Sequence, residues 1–260
     1  MARAIVSAGL VAGLTACGGG GADLRPALPT LSQDTLPAGD RLDLRDDNYF
    51  PAAAGDSWTY TTYFNGDMVV DSQPVRTVTS STANSFVIVE TDGAESQTTS
   101  YLRTNEGLVA VNPFGDIAPP AARSLIGDLL EYAEPFYAAG ATRQMIRQGD
   151  WGADLDGDGV NESFRLVVSQ TLVGFEDFTL PDGSVAEVAR FRNVTALTLS
   201  PSDRDLAVTT ATGTEEAWWA PGIGKVASSV VVTDAAGVPG GTQAFVLAGA
   251  TVGGTVLFQP

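Results

Sequence analysis

The sequence predicts a mainly β protein: a single curved antiparallel sheet or half-open barrel with one or two short helices packed on it. Three observations carry that reading. From Tyr49 onward, runs rich in Thr, Val and aromatic residues alternate in polarity, the period-two pattern of half-buried strands. Turn signals separate the runs, among them Asn65-Gly66-Asp67, Pro181-Asp182-Gly183 and Pro221-Gly222. No segment repeats at a fixed period, which argues against a propeller or solenoid.

Taken in chain order, the first element is a leader. Arg3 precedes an apolar run from Ala4 to Leu14, and small residues stand just before Cys17. This is the basic, apolar and small-residue order of a secretory signal. The run is far short of the ~20 residues that span a bilayer. With the chain's one cysteine at the junction, Leu14-Thr15-Ala16-Cys17 resembles the lipobox of bacterial lipoproteins. The resemblance implies removal of signal peptide 1–16 and acylation of Cys17 by diacylglycerol and a palmitate-type N-acyl chain. Such an anchor holds stably, since each buried methylene adds about 0.8 kcal/mol. Gly18, not aspartate, follows the cysteine, which by analogy with Gram-negative lipoproteins implies a lipid-anchored place in the cell envelope at the outer membrane. Residues 17–47 are Gly-rich, Pro-containing and aperiodic, and read as the acylated cysteine and a flexible tether. Residues 48–260 read as one β-rich globular domain.

Within that domain, Ser57–Phe64 places Trp58, Tyr60, Thr62 and Phe64 on one strand face. Further strands are predicted at 69–80, 85–91, 97–103 and 107–111, then at 163–172, 176–180, 185–199, 207–212, 215–219, 225–233 and 242–247. After Pro119-Pro120, the residues Leu125, Ile126, Leu129, Leu130 and Ala133 share a face at helical spacing, and Pro135 ends the run. A second short helix is expected over 141–147.

Composition narrows the chemistry. Acidic residues outnumber basic ones by 31 to 14, a formal charge of −17, which repels nucleic acid and anionic headgroups. There is no histidine, so Ser-His-Asp and Cys-His catalysis, ordinary zinc hydrolase sites and histidine-ligated haem are excluded. A lone cysteine also rules out an intrachain disulfide. The adjacent acids Glu176-Asp177 and Glu215-Glu216 bring paired-carboxylate hydrolysis to mind. Neighbouring residues on a strand face opposite ways, so these pairs do not point to an enzyme.

The sharpest motif runs from Asp154 to Glu162. Asp154, Asp156 and Asp158 occupy positions 1, 3 and 5 with Gly159 at position 6, the spacing that wraps a loop around one hard cation. Val160 would offer its carbonyl and Glu162 a carboxylate, and calcium is the expected ion. The loop resembles those of EF-hands and dockerins but carries Arg165 at position 12, and a strand follows it. That favours a β-flanked loop in which calcium has a structural role; an acidic turn without metal, or one holding another divalent ion, is the alternative.

Three phrases occur in order: Tyr49-Phe50-Pro51 through Gly55-Asp56-Ser57-Trp58-Thr59-Tyr60, then Gly174-Phe175 through Pro181-Asp182-Gly183-Ser184, then Trp218-Trp219-Ala220-Pro221-Gly222-Ile223-Gly224-Lys225-Val226. Together they resemble a group of uncharacterised bacterial envelope lipoproteins related to the lipoprotein carrier and receptor fold of the LolA and LolB kind. The resemblance implies a curved antiparallel sheet able to cradle an apolar ligand. Trp218 and Trp219 must point to opposite faces of their strand, so one of them is a candidate to line a groove. The expected function is therefore that of a non-enzymatic, membrane-anchored envelope lipoprotein whose calcium-stabilised β domain binds an apolar or amphiphilic ligand. The alternative is a cell-surface structural or interaction module, fully packed and without a cavity, whose partner is another envelope protein or a polysaccharide.

Overall fold

A computed structural model describes residues 23–37, 39, 41–42, 48–115, 118–133, 135–234 and 236–260. The predicted signal peptide 1–16 and the acylation site Cys17 lie outside the described residues.

The chain forms one open antiparallel sheet. Its strands are β1 (Leu31–Thr35), β2 (Ser57–Phe64), β3 (Asp67–Met68), β4 (Val75–Ser81), β5 (Ser85–Asp92), β6 (Glu95–Thr104), β7 (Gly107–Ala110) and β8 (Leu129–Ala133). They continue with β9 (Thr142–Asp150), β10 (Ser163–Thr179), β11 (Val185–Ser200), β12 (Thr209–Ala220), β13 (Gly224–Thr233), β14 (Pro239–Val252) and β15 (Thr255–Phe258). The spatial order is β1-β9-β10-β11-β12-β13-β14-β2-β4-β5-β6-β7-β8, with β3 on β2 and β15 on β14, so β1 and β8 are its free ends. One helix among the described residues, α1 (Pro120–Ile126), precedes β8.

The predicted mainly β architecture is what is found, and the differences have physical causes. The apolar run after Pro119-Pro120 is a short helix followed by a strand. Gly127, at φ 62, closes α1 by donating its N–H to the Arg123 carbonyl, and Leu129–Ala133 then pairs with β7. Short apolar runs suit either state, and pairing decides. The helix expected over 141–147 is strand β9 instead, held on both sides by ladders to β1 and β10. Leu31–Thr35, inside the segment expected to be a flexible tether, is β1. Two pairs of predicted strands are single long ones: β10 runs through 163–179 and β12 through 209–220.

Long strands let the sheet curve. Register shifts occur at Leu172/Gly174 in β10, Trp218/Trp219 in β12, Val231/Thr233 in β13 and Leu247/Gly249 in β14. Each such bulge bends its strand and adds twist. The apolar interior divides in two. One cluster is aromatic, built around Phe50, Trp58, Tyr60, Phe86, Tyr132, Phe191 and Trp219. The other packs α1 through Ala122 and Ile126 against Met145, Trp151, Phe164, Leu166 and Leu199.

Candidate functional site

Strand alternation in β2 turns Trp58 and Tyr60 inward, as their spacing predicts. Both are then fixed by strand β13 and the turn before it. The Trp58 Nε1 donates to the Ile223 carbonyl at 2.6 Å and the Tyr60 hydroxyl to the Lys225 carbonyl at 2.9 Å. Gly224, at φ 105, lets the turn pass close to the indole, because a Cβ there would lie 3.3 Å from Trp58 Nε1. The Pro221-Gly222-Ile223-Gly224 phrase thus serves to seat a tryptophan.

Against these side chains the curved sheet leaves a cavity of about 140 Å³, walled by β2, β4, β5, β6, β8, β12, β13 and β14. Its apolar wall includes Tyr60, Ile88, Tyr101, Trp219 and Phe245. Four charged side chains share the wall: Arg76, Glu90, Glu131 and Lys225. Arg76 Nε meets Glu90 Oε2 at 2.5 Å, and its guanidinium lies 5.4 Å over the Tyr60 ring. Lys225 Nζ meets Glu215 Oε1 at 3.1 Å and lies 4.7 Å over the Trp219 ring.

Burial sets the ionisation of this wall. It pushes the Tyr60 hydroxyl up to about 12, with Arg76 offsetting part of the effect. Burial raises Tyr101 further, helped by the neighbouring Glu131 carboxylate. For Glu90 and Glu215, burial favours the neutral acid, but their cations prevail. Arg76 holds Glu90 below its ordinary value, while Lys225 and the Asn193 side-chain amide do the same for Glu215. These two acids therefore stay ionised beside their cations.

Two further cavities of about 70 Å³ each adjoin the first, one bordered by Arg143, Gln170 and Asn193, the other by Gln97 and Asn112.

The acidic loop lies between β9 and β10, beside α1. Trp151 N–H donates to the Glu162 carbonyl and Glu162 N–H to the Ala153 carbonyl, closing the loop at its base. Glu162 is fully buried, and its carboxylate accepts from the Leu155 and Asp156 amides at 2.8 and 3.2 Å. Burial raises its pKa above the ordinary value, although those amides oppose the shift. Asp154 accepts from the Gly157 and Gly159 amides, and Asp156 from the Asp158 amide. Carboxylate oxygens of Asp154, Asp156 and Glu162 lie within 4.8 Å of one another. Asp158 stands outside this group, because its second oxygen accepts from the Ser202 hydroxyl at 2.6 Å. Val160 is exposed, and its N–H donates to Asp158.

The paired tryptophans separate as a strand requires. Trp219 is buried and lines the cavity, whereas Trp218 sits on the other face, where its Nε1 donates to Glu176 at 2.5 Å beside Arg190. The acid pair Glu215-Glu216 divides the same way: Glu215 turns inward to Lys225, and Glu216 turns outward to Arg190 and Arg192. Arg76, Glu90, Glu131 and Lys225 were not singled out from the sequence. A charged residue at an inward position of an alternating strand is the signal that marks Arg76 and Glu90.

No family model matches the chain, and comparison with curated proteins gives no match. Among solved structures, the chain is similar to a candidate lipoprotein from Parabacteroides distasonis. The two share 16% identity over 79% of this chain and 99% of that one, with a TM-score of 0.42.

Proposed function

We propose that this protein is a lipid-anchored component of a bacterial cell envelope that works by binding a small amphiphilic ligand, not by catalysis. One observation carries the reading: a cavity of about 140 Å³ whose wall combines aromatic rings with ion-paired charged groups. A cavity of that order holds a molecule about the size of one aromatic ring. The ligand is therefore small, or enters with one apolar arm only. Anchoring rests on the lipobox-like residues ending at Cys17, and outer-membrane placement on Gly18.

The test uses the full chain with Cys17→Ser, so that no acyl chain competes for the cavity. Titration with 1-hexanol and with indole, followed by ligand-observed NMR, should give saturable binding. Ile88→Phe, which puts a larger side chain on the wall, should weaken both ligands without unfolding the chain. Absence of saturable binding of either compound would sink the reading.

The acidic loop is proposed as a structural calcium site using Asp154, Asp156 and Glu162. Carboxylates so close repel one another unless a cation sits among them, and hard oxygen ligands at alternating positions suit calcium. Native mass spectra with calcium and with chelator check this. A bound ion absent from Asp156→Ala supports the site, and an unchanged apo mass in calcium removes it.

A further inference from the structure

We propose that Glu131 selects the ligand of the main cavity, and that this ligand carries a cationic nitrogen: an organic amine or ammonium with an apolar body. The inference rests on the ligand-binding reading above and adds the sign of the charge recognised.

The backbone singles Glu131 out first. Pairing of β7 with β8 steps from Leu108↔Tyr132 directly to Val109↔Leu130, so Glu131 has no partner across the ladder. A bulge of this kind leaves one residue unpaired and re-aims its side chain. The Glu131 carbonyl accepts the Gln170 side-chain amide. Glu131 is alone among the described residues in bordering all three of the larger cavities.

Charge then decides the ligand's sign. On the main cavity wall, Arg76 is matched by Glu90 and Lys225 by Glu215. Glu131 has no ion pair and no side-chain hydrogen bond among the described residues, and it is only half-buried. Glu131 is thus the wall's one carboxylate without an ion-pair partner among the described residues, in a partly desolvated place where a matching cation gains most. The same wall already seats two cations on aromatic faces, Arg76 on Tyr60 and Lys225 on Trp219.

An anionic ligand is the competing possibility, because Arg143 borders the second cavity. Arg143 is 7% exposed and donates to the Leu130 carbonyl at 3.2 Å, with no ion pair among the described residues. It does not border the main cavity, and an anion beside it would face Glu131 and Glu215 on the same wall. The larger, more apolar space therefore favours the amine.

The experiment compares three probes of one shape, hexylamine, 1-hexanol and hexanoate, on the full chain with Cys17→Ser, at neutral pH and physiological salt. Hexylamine should bind about tenfold more tightly than hexanol, the value of one charge-assisted hydrogen bond, with hexanoate weakest. Glu131→Gln should bring hexylamine to within about twofold of hexanol while leaving hexanol unchanged; the hexanol result also reports that the variant folds. That substitution removes one charge from a chain of net −17, so general attraction of amines to an acidic surface would barely respond. Equal binding of hexylamine and hexanol, or an amine preference that survives Glu131→Gln, overturns the proposal and leaves the ligand-binding reading standing. Preference for hexanoate overturns it in favour of Arg143. Failure of all three probes to bind removes the ligand-binding reading itself.

Discussion

Glu90 and Glu215, around the cavity, are held by cations that arrive from neighbouring strands, Arg76 on β4 and Lys225 on β13. In the loop between β9 and β10, Asp154, Asp156 and Glu162 are held by amides of their own loop. The cavity therefore depends on the register of the sheet, since a slip of one residue would turn Lys225 away from Glu215. The loop depends mainly on local turn geometry: its carboxylates accept amides two to seven residues away, with Ser202 and Asp203 as the distant partners of Asp158 and Asp156. One region stores its charge in pairs made across neighbouring strands; the other gathers negative charge with no countercharge among the described residues.

The largest effect should come from breaking a cross-strand pair. Lys225→Met leaves Glu215 buried without its cation, and loss of one partner of a buried pair costs about 3–5 kcal/mol. Urea unfolding should show it, and Lys225→Met with Glu215→Leu should recover most of the loss. The same pair sets a pH limit. Glu215 is held below its ordinary value in the folded protein, so its contribution is fully present above the unfolded carboxylate range, about 4.3. It fades as pH falls through the lower folded value. Wild type should therefore lose stability more steeply in acid than the double variant does.

Calcium should move the loop region next. A ligand bound only by the folded chain at a hundred times its Kd adds about 2.7 kcal/mol, or about 5–10 °C in Tm for a domain of this size. Asp156→Ala should abolish that gain while leaving hexanol binding at the cavity unchanged. A calcium shift that persists in Asp156→Ala would place the ion elsewhere.

Gly152 tests how the loop is docked. Its φ is +84, and an added Cβ would lie 2.6 Å from the Ala121 Cβ on α1. Gly152→Ala should cost about 1–3 kcal/mol in urea unfolding through strain and overpacking. The cost should fall on the interior cluster around Trp151 and Phe164, not on the aromatic one.

These two regions also differ in how readable they are. Asp154 to Glu162 stand within nine consecutive residues, so spacing alone brings the loop into view. It does not reveal that Ser202, more than forty residues away, draws Asp158 out of the group. The cavity wall gathers Tyr60, Arg76, Glu90, Glu131 and Lys225 from five strands. Alternation tells which way Trp58 and Tyr60 face but not which residues they meet. Glu131 is harder still, because a bulge breaks the alternation there. Strand β9 was hidden for a related reason: Met145 and Ile146 suit a helix as well as a strand, and only the ladders to β1 and β10 decide.

The smallest effect should come from Trp218, and it separates the two faces of one strand. Trp218 and Trp219 are adjacent, yet only Trp219 lines the cavity. Trp218 covers the outer face, bonded to Glu176 and stacked by Arg190, in a patch where side chains remain partly hydrated. Interactions of that kind contribute about 1 kcal/mol or less. Trp218, only partly buried where it packs on the aromatic cluster, should on Trp218→Ala cost less stability than Trp219→Ala does and leave hexanol and hexylamine affinities within about twofold. Trp219→Ala should instead enlarge the cavity and change both affinities, because it removes an inner wall and the ring beneath Lys225. If Trp218→Ala changed ligand affinity as much as Trp219→Ala did, the ligand would be using the outer face, and the cavity would lose its claim to be the binding site.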